Sequence, residues 1–198
     1  MSPKAFLGVL LCLAFSSSRG FGETSTNFTA ASGGNWSFGG NWSGGVTPAN
    51  DASNTFIVSI PNSRTVNFDQ TANTSISALS LGGTDSTLNL TAGTSLTVFG
   101  DFNPNGGLIN VQSGFFNAAT SKLPSGLSGS YWVSGGSTAQ FNVSNYSTGF
   151  RYDASRLFMS ADGANSKLTL SGMTSIDFSS MYGDGIRDFS IECQITLK

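Results

Sequence analysis

From Thr55 onward the chain is a succession of short runs in which apolar and polar residues alternate. Each run is closed by Gly, Asn, Asp or Ser: TFIVSI (55–60), RTVNF (64–68), ISALSL (76–81), STLNLT (86–91), SLTVF (95–99) and GLINVQ (107–112). A period of two, with β-branched and aromatic residues enriched, predicts strands that bury one face and wet the other. SYWVS (130–134), STAQFNV (137–143), RLFMS (156–160), SKLTLS (166–171), a run beginning at Thr174 and the terminal FSIECQITLK (189–198) continue the series. No window carries an apolar stripe of helical period.

Many short strands suit both a parallel solenoid and a sandwich, so the interval between equivalent strands decides. Val66 with Phe68, Leu88 with Leu90, and Ile109 with Val111 recur after 22 and then 21 residues, with a second apolar pair, Leu96 and Val98, lying between two of them. That is the length of one β-helix coil. The predicted fold is therefore an all-β parallel β-helix (β-solenoid) with irregular coils, in which Leu88 stacks directly beneath Ile109 and each buried aliphatic or aromatic side chain contributes about 1.5–3 kcal/mol. The alternative is an antiparallel β-sandwich of lectin type, in which residues 86–91 would pair antiparallel with 95–99. Beyond Ala118 the interval loosens, and KLPSGLSGSYW (122–132) reads as an insertion or long loop.

Ahead of the strands the pattern differs. Lys4, the apolar stretch Ala5 to Phe15 and the small residues Ser16 to Gly22 have the order of a secretory signal peptide. Eleven apolar residues fall short of the roughly 20 that span a bilayer, and no later stretch approaches that length, which predicts no transmembrane segment in the mature chain. Residues 23–54 are rich in Gly, Asn, Thr and Ser and contain the doublet GGNWSFGGNWSGG. The predicted organisation is a signal peptide (1–22), a Trp-containing N-terminal cap (23–54) and a solenoid domain (55–198) whose last strand ends uncapped. The expected location is secreted or cell surface.

Composition narrows the chemistry. Ser, Thr, Asn and Gly supply 93 of 198 residues, only 10% are charged, and histidine is absent. The sequence therefore has no imidazole to serve as general base or metal ligand. The formal charge is −2, and loss of Lys4 and Arg19 with a leader takes it to −4, which argues against nucleic acid as a partner. Cys12 belongs to the leader, so Cys193 is left as a single thiol and no disulfide framework holds the domain.

On these motifs the chain resembles secreted bacterial right-handed β-helix proteins with autotransporter-like repeats. The resemblance rests on Trp36, Asn41, Trp42, Gly45, Pro48 and Asp51 ahead of the first strand, on ISALSLGGTDSTLNLTAGTSLTVFG, and on SKLTLSGMTSID (166–177). It implies a right-handed helix and a non-enzymatic surface, structural or adhesin-like role, with a carbohydrate-active enzyme or glycan-binding module as the alternative. Polysaccharide or cell-envelope components are the implied partners.

Candidate site residues are few. Tyr131 and Trp132 are the ligand-binding candidates, because neighbours on a strand point to opposite faces and one ring should meet solvent. Trp36 and Trp42 are expected to fold over the open end of the first coil instead. Acidic residues stand beside Gly in DGAN (162–165) and YGDGIRD (182–188), matching no calcium-loop pattern, and turn geometry accounts for them. Neither Arg151, Arg156 and Lys167 as lyase bases nor a pair among Asp153, Asp162, Asp177, Asp184 and Asp188 has a spacing that selects catalysis. No catalytic, metal or cofactor residue is assigned. In the terminal strand Ile191, Cys193, Ile195 and Leu197 alternate with polar residues, predicting a buried Cys193 and an edge, Phe189 to Leu197, that invites end-to-end self-association.

Overall fold

The computed structural model describes residues 22–123, 127–147 and 159–177. The chain enters through β1 (Gly22–Asn27) and β2 (Gly33–Asn35), followed by the cap segment 36–53 with its single 3₁₀ turn, Gly39–Asn41. It then makes repeated circuits. The first holds β3 (Asn54–Ile60), β4 (Thr65–Phe68) and β5 (Thr74–Ile76). The second holds β6 (Ala78–Leu81), β7 (Thr87–Leu90) and β8 (Ser95–Val98), and the third β9 (Phe102–Asn103), β10 (Leu108–Val111) and β11 (Phe115–Ala118). Next come β12 (Leu127–Ser128), β13 (Ser130–Val133) and β14 (Thr138–Asn142), then β15 (Asn145–Ser147), β16 (Met159–Ala161) and β17 (Lys167–Ser171), and last β18 (Ser175–Asp177).

Strands from successive circuits lie side by side. The sheets run β1-β3-β6-β9, β2-β4-β7-β10-β13-β16, β5-β8-β11-β14-β17 and β12-β15-β18. Every pairing between these named strands is parallel, and among the described residues the lone antiparallel contact is the Phe28–Trp42 bridge in the cap. Leu88 is in register with Ile109, while β7 and β8 pair with different partners. The antiparallel sandwich is thereby overturned: the fold is all-β with parallel sheets, compatible with a parallel β-helix or solenoid.

The register explains the core. Val66, Leu88, Ile109 and Tyr131 form one buried column and Phe68, Leu90, Val111 and Val133 another. On the third sheet Phe116 is in register with Ala139 and Ala118 with Phe141, so a large side chain faces a small one at each level. The rings of Phe102, Phe116, Phe141 and Tyr131 fill the resulting space with centroid separations of 4.8–5.9 Å.

Three expectations are corrected. ISALSL is not one strand: burial passes from Ile76 to Leu79 across a half-buried Ser77–Ala78, and this slip of phase is the corner between β5 and β6. KLPSGLSGSYW is not an insertion, since Lys122 bridges Asp101 and Tyr131 lies 22 residues after its register partner Ile109. The longer circuit comes afterwards, with 28 residues from Tyr131 to Met159 and 29 from Ala139 to Leu168. The cap segment also holds more strand than its composition suggested, because β1 pairs with β3 along six residues although Thr26 is its only buried side chain.

Trp36 and Trp42 pack at the first end of the stack. Both are buried, Trp36 packing edge-on against Trp42 at 4.8 Å and Phe68 at 5.4 Å, with Trp42 against Phe28 at 5.2 Å. Their indole N–H groups donate to the Pro48 and Trp36 carbonyls at 3.0 and 2.8 Å. Asp51 then starts β3: its carboxylate accepts the Ser53 and Asn54 backbone N–H groups, both at 2.7 Å, and these bonds hold its pKa below the ordinary value. Among the described residues no helix is long and apolar enough to cross a membrane.

Candidate functional site

Among the described residues, the outward positions of the six-stranded sheet carry a regular column of amide side chains. Between the buried residues of β4, β7 and β10 stand Asn67, Asn89 and Asn110, in register across neighbouring strands. The Asn89 amide donates to Asn67 Oδ1 at 3.0 Å and the Asn110 amide to Asn89 Oδ1 at 3.1 Å. Asn35 precedes this column on β2, and Trp132 and Ser160 follow it on β13 and β16. The three bonded asparagines are half-buried, whereas Asn35 is exposed. A parallel column of Thr65, Thr87 and Leu108 flanks them, so the outward side chains of β4, β7 and β10 carry no charge.

The two ligand-binding candidates separate. Tyr131 is 1% exposed and packs edge-on against Phe141, so it is a core residue and presents no ring to a ligand. Trp132 is 39% exposed on the opposite side of the strand. The pleat makes one of two adjacent residues inward, and the interior column of Leu88 and Ile109 takes Tyr131.

Tyr131 nevertheless shapes this surface from below. Its hydroxyl donates to the Ser128 carbonyl and that of Tyr146 to the Gly129 carbonyl, the latter at 2.7 Å. Together they clamp the turn between β12 and β13, immediately before Trp132. Gly129 sits there at φ 93°, and a Cβ would lie 2.2 Å from the Gly107 carbonyl oxygen, so only glycine fits. Burial pushes both the Tyr131 and the Tyr146 phenols well above the ordinary range, so both remain neutral donors.

Other sequence candidates resolve differently. The DGAN segment is a turn, with Gly163 at φ 86° and Asn165 at 65°, and Ser166 bonding back to the carbonyls of Gly163 and Asp162. Lys167 is exposed at the start of β17, and Asp177 lies on β18. Trp36 and Trp42 are consumed by the cap. Arg151, Arg156, Asp153, Asp184, Asp188, Cys193 and the Phe189 to Leu197 edge lie outside the described residues, as does the signal peptide up to residue 21.

The alternation predicts outward Thr- and Asn-rich ladders, a flat hydrogen-bonding surface for polysaccharide or neighbouring copies, without singling out these three residues; V-N-F, L-N-L and I-N-V place Asn between the two members of each apolar pair, at the same 22- and 21-residue intervals. Comparison with protein-family models, curated proteins and solved structures finds no match.

Proposed function

We propose that the chain is an exported, non-enzymatic surface or structural protein of adhesin-like type, carried on a right-handed parallel β-helix like those of secreted bacterial proteins with autotransporter-like repeats. The right-handed crossover rule for parallel strands supports the hand. One observation carries the functional reading: several polar groups that could serve chemistry are engaged in the scaffold, while the outward columns of β4, β7 and β10 are uncharged and repetitive. Asp51 and Asp69 bind backbone N–H groups at 2.7–2.8 Å, Trp36 and Trp42 bind carbonyls, and both buried phenols hold a turn. The column of Asn67, Asn89 and Asn110 faces outward. A carbohydrate-active enzyme or glycan-binding module is the second reading, and exposed Trp132 favours its binding half.

The test has two parts. Fractionation of the producing cell should find the protein at the cell surface or in the medium, and retention in the cytoplasm would sink the export reading. Incubation of the purified mature chain with pectin, alginate and neutral glycans should yield no cleavage. Turnover on any of them would replace the structural role with an enzymatic one.

A further inference from the structure

We propose that Asn67, Asn89, Asn110 and Trp132 form a strip that binds a neutral polysaccharide laid across the strands. This rests on the surface-protein reading above and gives its ligand a chemical class.

The first argument is repetition. The four residues occupy one outward column on β4, β7, β10 and β13, so they recur at the strand spacing of about 4.7–4.9 Å. A small ligand would use one or two such positions, whereas a polymer with hydroxyls on every unit can use them all. Its affinity then grows with length as successive contacts become intramolecular.

The second argument is the state of the amides. Asn110 donates to Asn89 and Asn89 to Asn67, which fixes the O and N ends of each group in the same sense along the column. Each bond uses one of two N–H groups on its donor and one of two lone pairs on its acceptor, so each amide keeps further hydrogen-bonding capacity. Their orientation is set by neighbours on rigid strands, so binding loses little side-chain entropy.

Charge selects the ligand. With Thr65, Thr87 and Leu108 alongside the amides, the outward side chains of β4, β7 and β10 offer no cation to pair with a uronate or sulfate. Charge complementarity therefore favours a neutral glycan over an anionic one. Trp132 supplies the remaining element: the residue is 39% exposed, and the electron-rich face of an indole attracts the polarised C–H groups on the flat side of a sugar ring. Its position is held from beneath by the turn that Tyr131 and Tyr146 clamp.

The test measures binding of the purified exported protein to soluble β-glucan, mannan and dextran, with alginate and polygalacturonate for contrast, by affinity electrophoresis and calorimetry. At least one neutral polymer should bind, with six-unit oligosaccharides binding more tightly than two-unit ones. Trp132→Ala should weaken binding at least tenfold and Trp132→Phe should retain most of it. The double variant Asn89→Ala/Asn110→Ala should weaken it to a similar degree, with unchanged circular dichroism showing that the fold persists. Failure to bind any neutral polymer, binding of the anionic polymers alone, or full binding by Trp132→Ala would each overturn the strip. Concentration-dependent self-association that Trp132→Ala abolishes, without glycan binding, would instead assign the face to a second copy of the chain. A surface-located protein that fails these tests loses the strip but keeps the surface role; a cytoplasmic protein loses the surface role whatever it binds.

Discussion

At the scale of single residues, two tyrosines show how burial turns an ordinary group into a structural one. Neutral phenols of Tyr131 and Tyr146 donate to the carbonyls of Ser128 and Gly129 inside the core, and burial raises both pKa values above 10. In the unfolded chain they ionise near pH 10. Their stabilising contribution is therefore complete below that pH. Above it the unfolded state releases protons that the folded state keeps, so stability falls by about 1.4 kcal/mol per pH unit for each such phenol until the folded groups titrate. Urea unfolding between pH 8 and 12 should show this decline, and Tyr146→Phe should make it shallower while costing about 1 kcal/mol at pH 8. A decline identical in the variant would remove Tyr146 from the effect.

At the scale of elements, strand and corner make opposite demands. Strands ask only for alternation, with Val66, Leu88 and Ile109 buried and therefore intolerant of polar groups. Corners ask for backbone room. Gly114 enters β11 at φ 97°, and a Cβ there would stand 2.1 Å from the Thr94 carbonyl oxygen of the preceding circuit. Gly114→Ala should destabilise the protein by about 1–3 kcal/mol, through an unfavourable φ together with that clash. Asn89→Ala, on the outward column, should cost about 1 kcal/mol or less. Denaturant midpoints for the two variants check the contrast, and equal losses would show that the column supports the fold as much as the corners do.

At the scale of the molecule, the first end of the stack needs closing because every circuit but the outermost is covered by neighbours on both sides. Trp36 packs on Phe68 and Trp42 on Trp36 and Phe28, and backbone bonds from Thr29 and Ser43 tie residues 41–43 to the end of β1. The first part of β1 keeps a short open edge, which limits strand addition. Removing residues 22–49, which spares the Asp51 turn, should expose Phe68 and the free edges of β3 and β4. The shortened protein should melt at a lower temperature and run at a larger apparent mass in size-exclusion chromatography with light scattering than the full chain. Unchanged mass and melting would mean that the cap protects nothing.

Strand identity and the stacking of Val66, Leu88 and Ile109 were determined by the sequence alone. Alternation and a steady 21- to 22-residue interval are local properties, and each inward residue meets its own counterpart one circuit away. The burial of Trp36 and Trp42 was legible for a related reason, since a stack must cover its apolar end. Tertiary structure decided what local pattern leaves ambiguous. GETSTN has no apolar alternation to mark it, and it becomes strand β1 because β3 offers an edge. ISALSL bends at Ser77 because its strands serve two sheets, a change of phase that the apolar Ala78 conceals. SYWV could have buried either ring, and the column beneath it took Tyr131 and left Trp132 outside. The asparagine column required the register itself: Asn67, Asn89 and Asn110 are 22 and 21 residues apart along the chain, and only parallel pairing brings their amides within hydrogen-bonding distance.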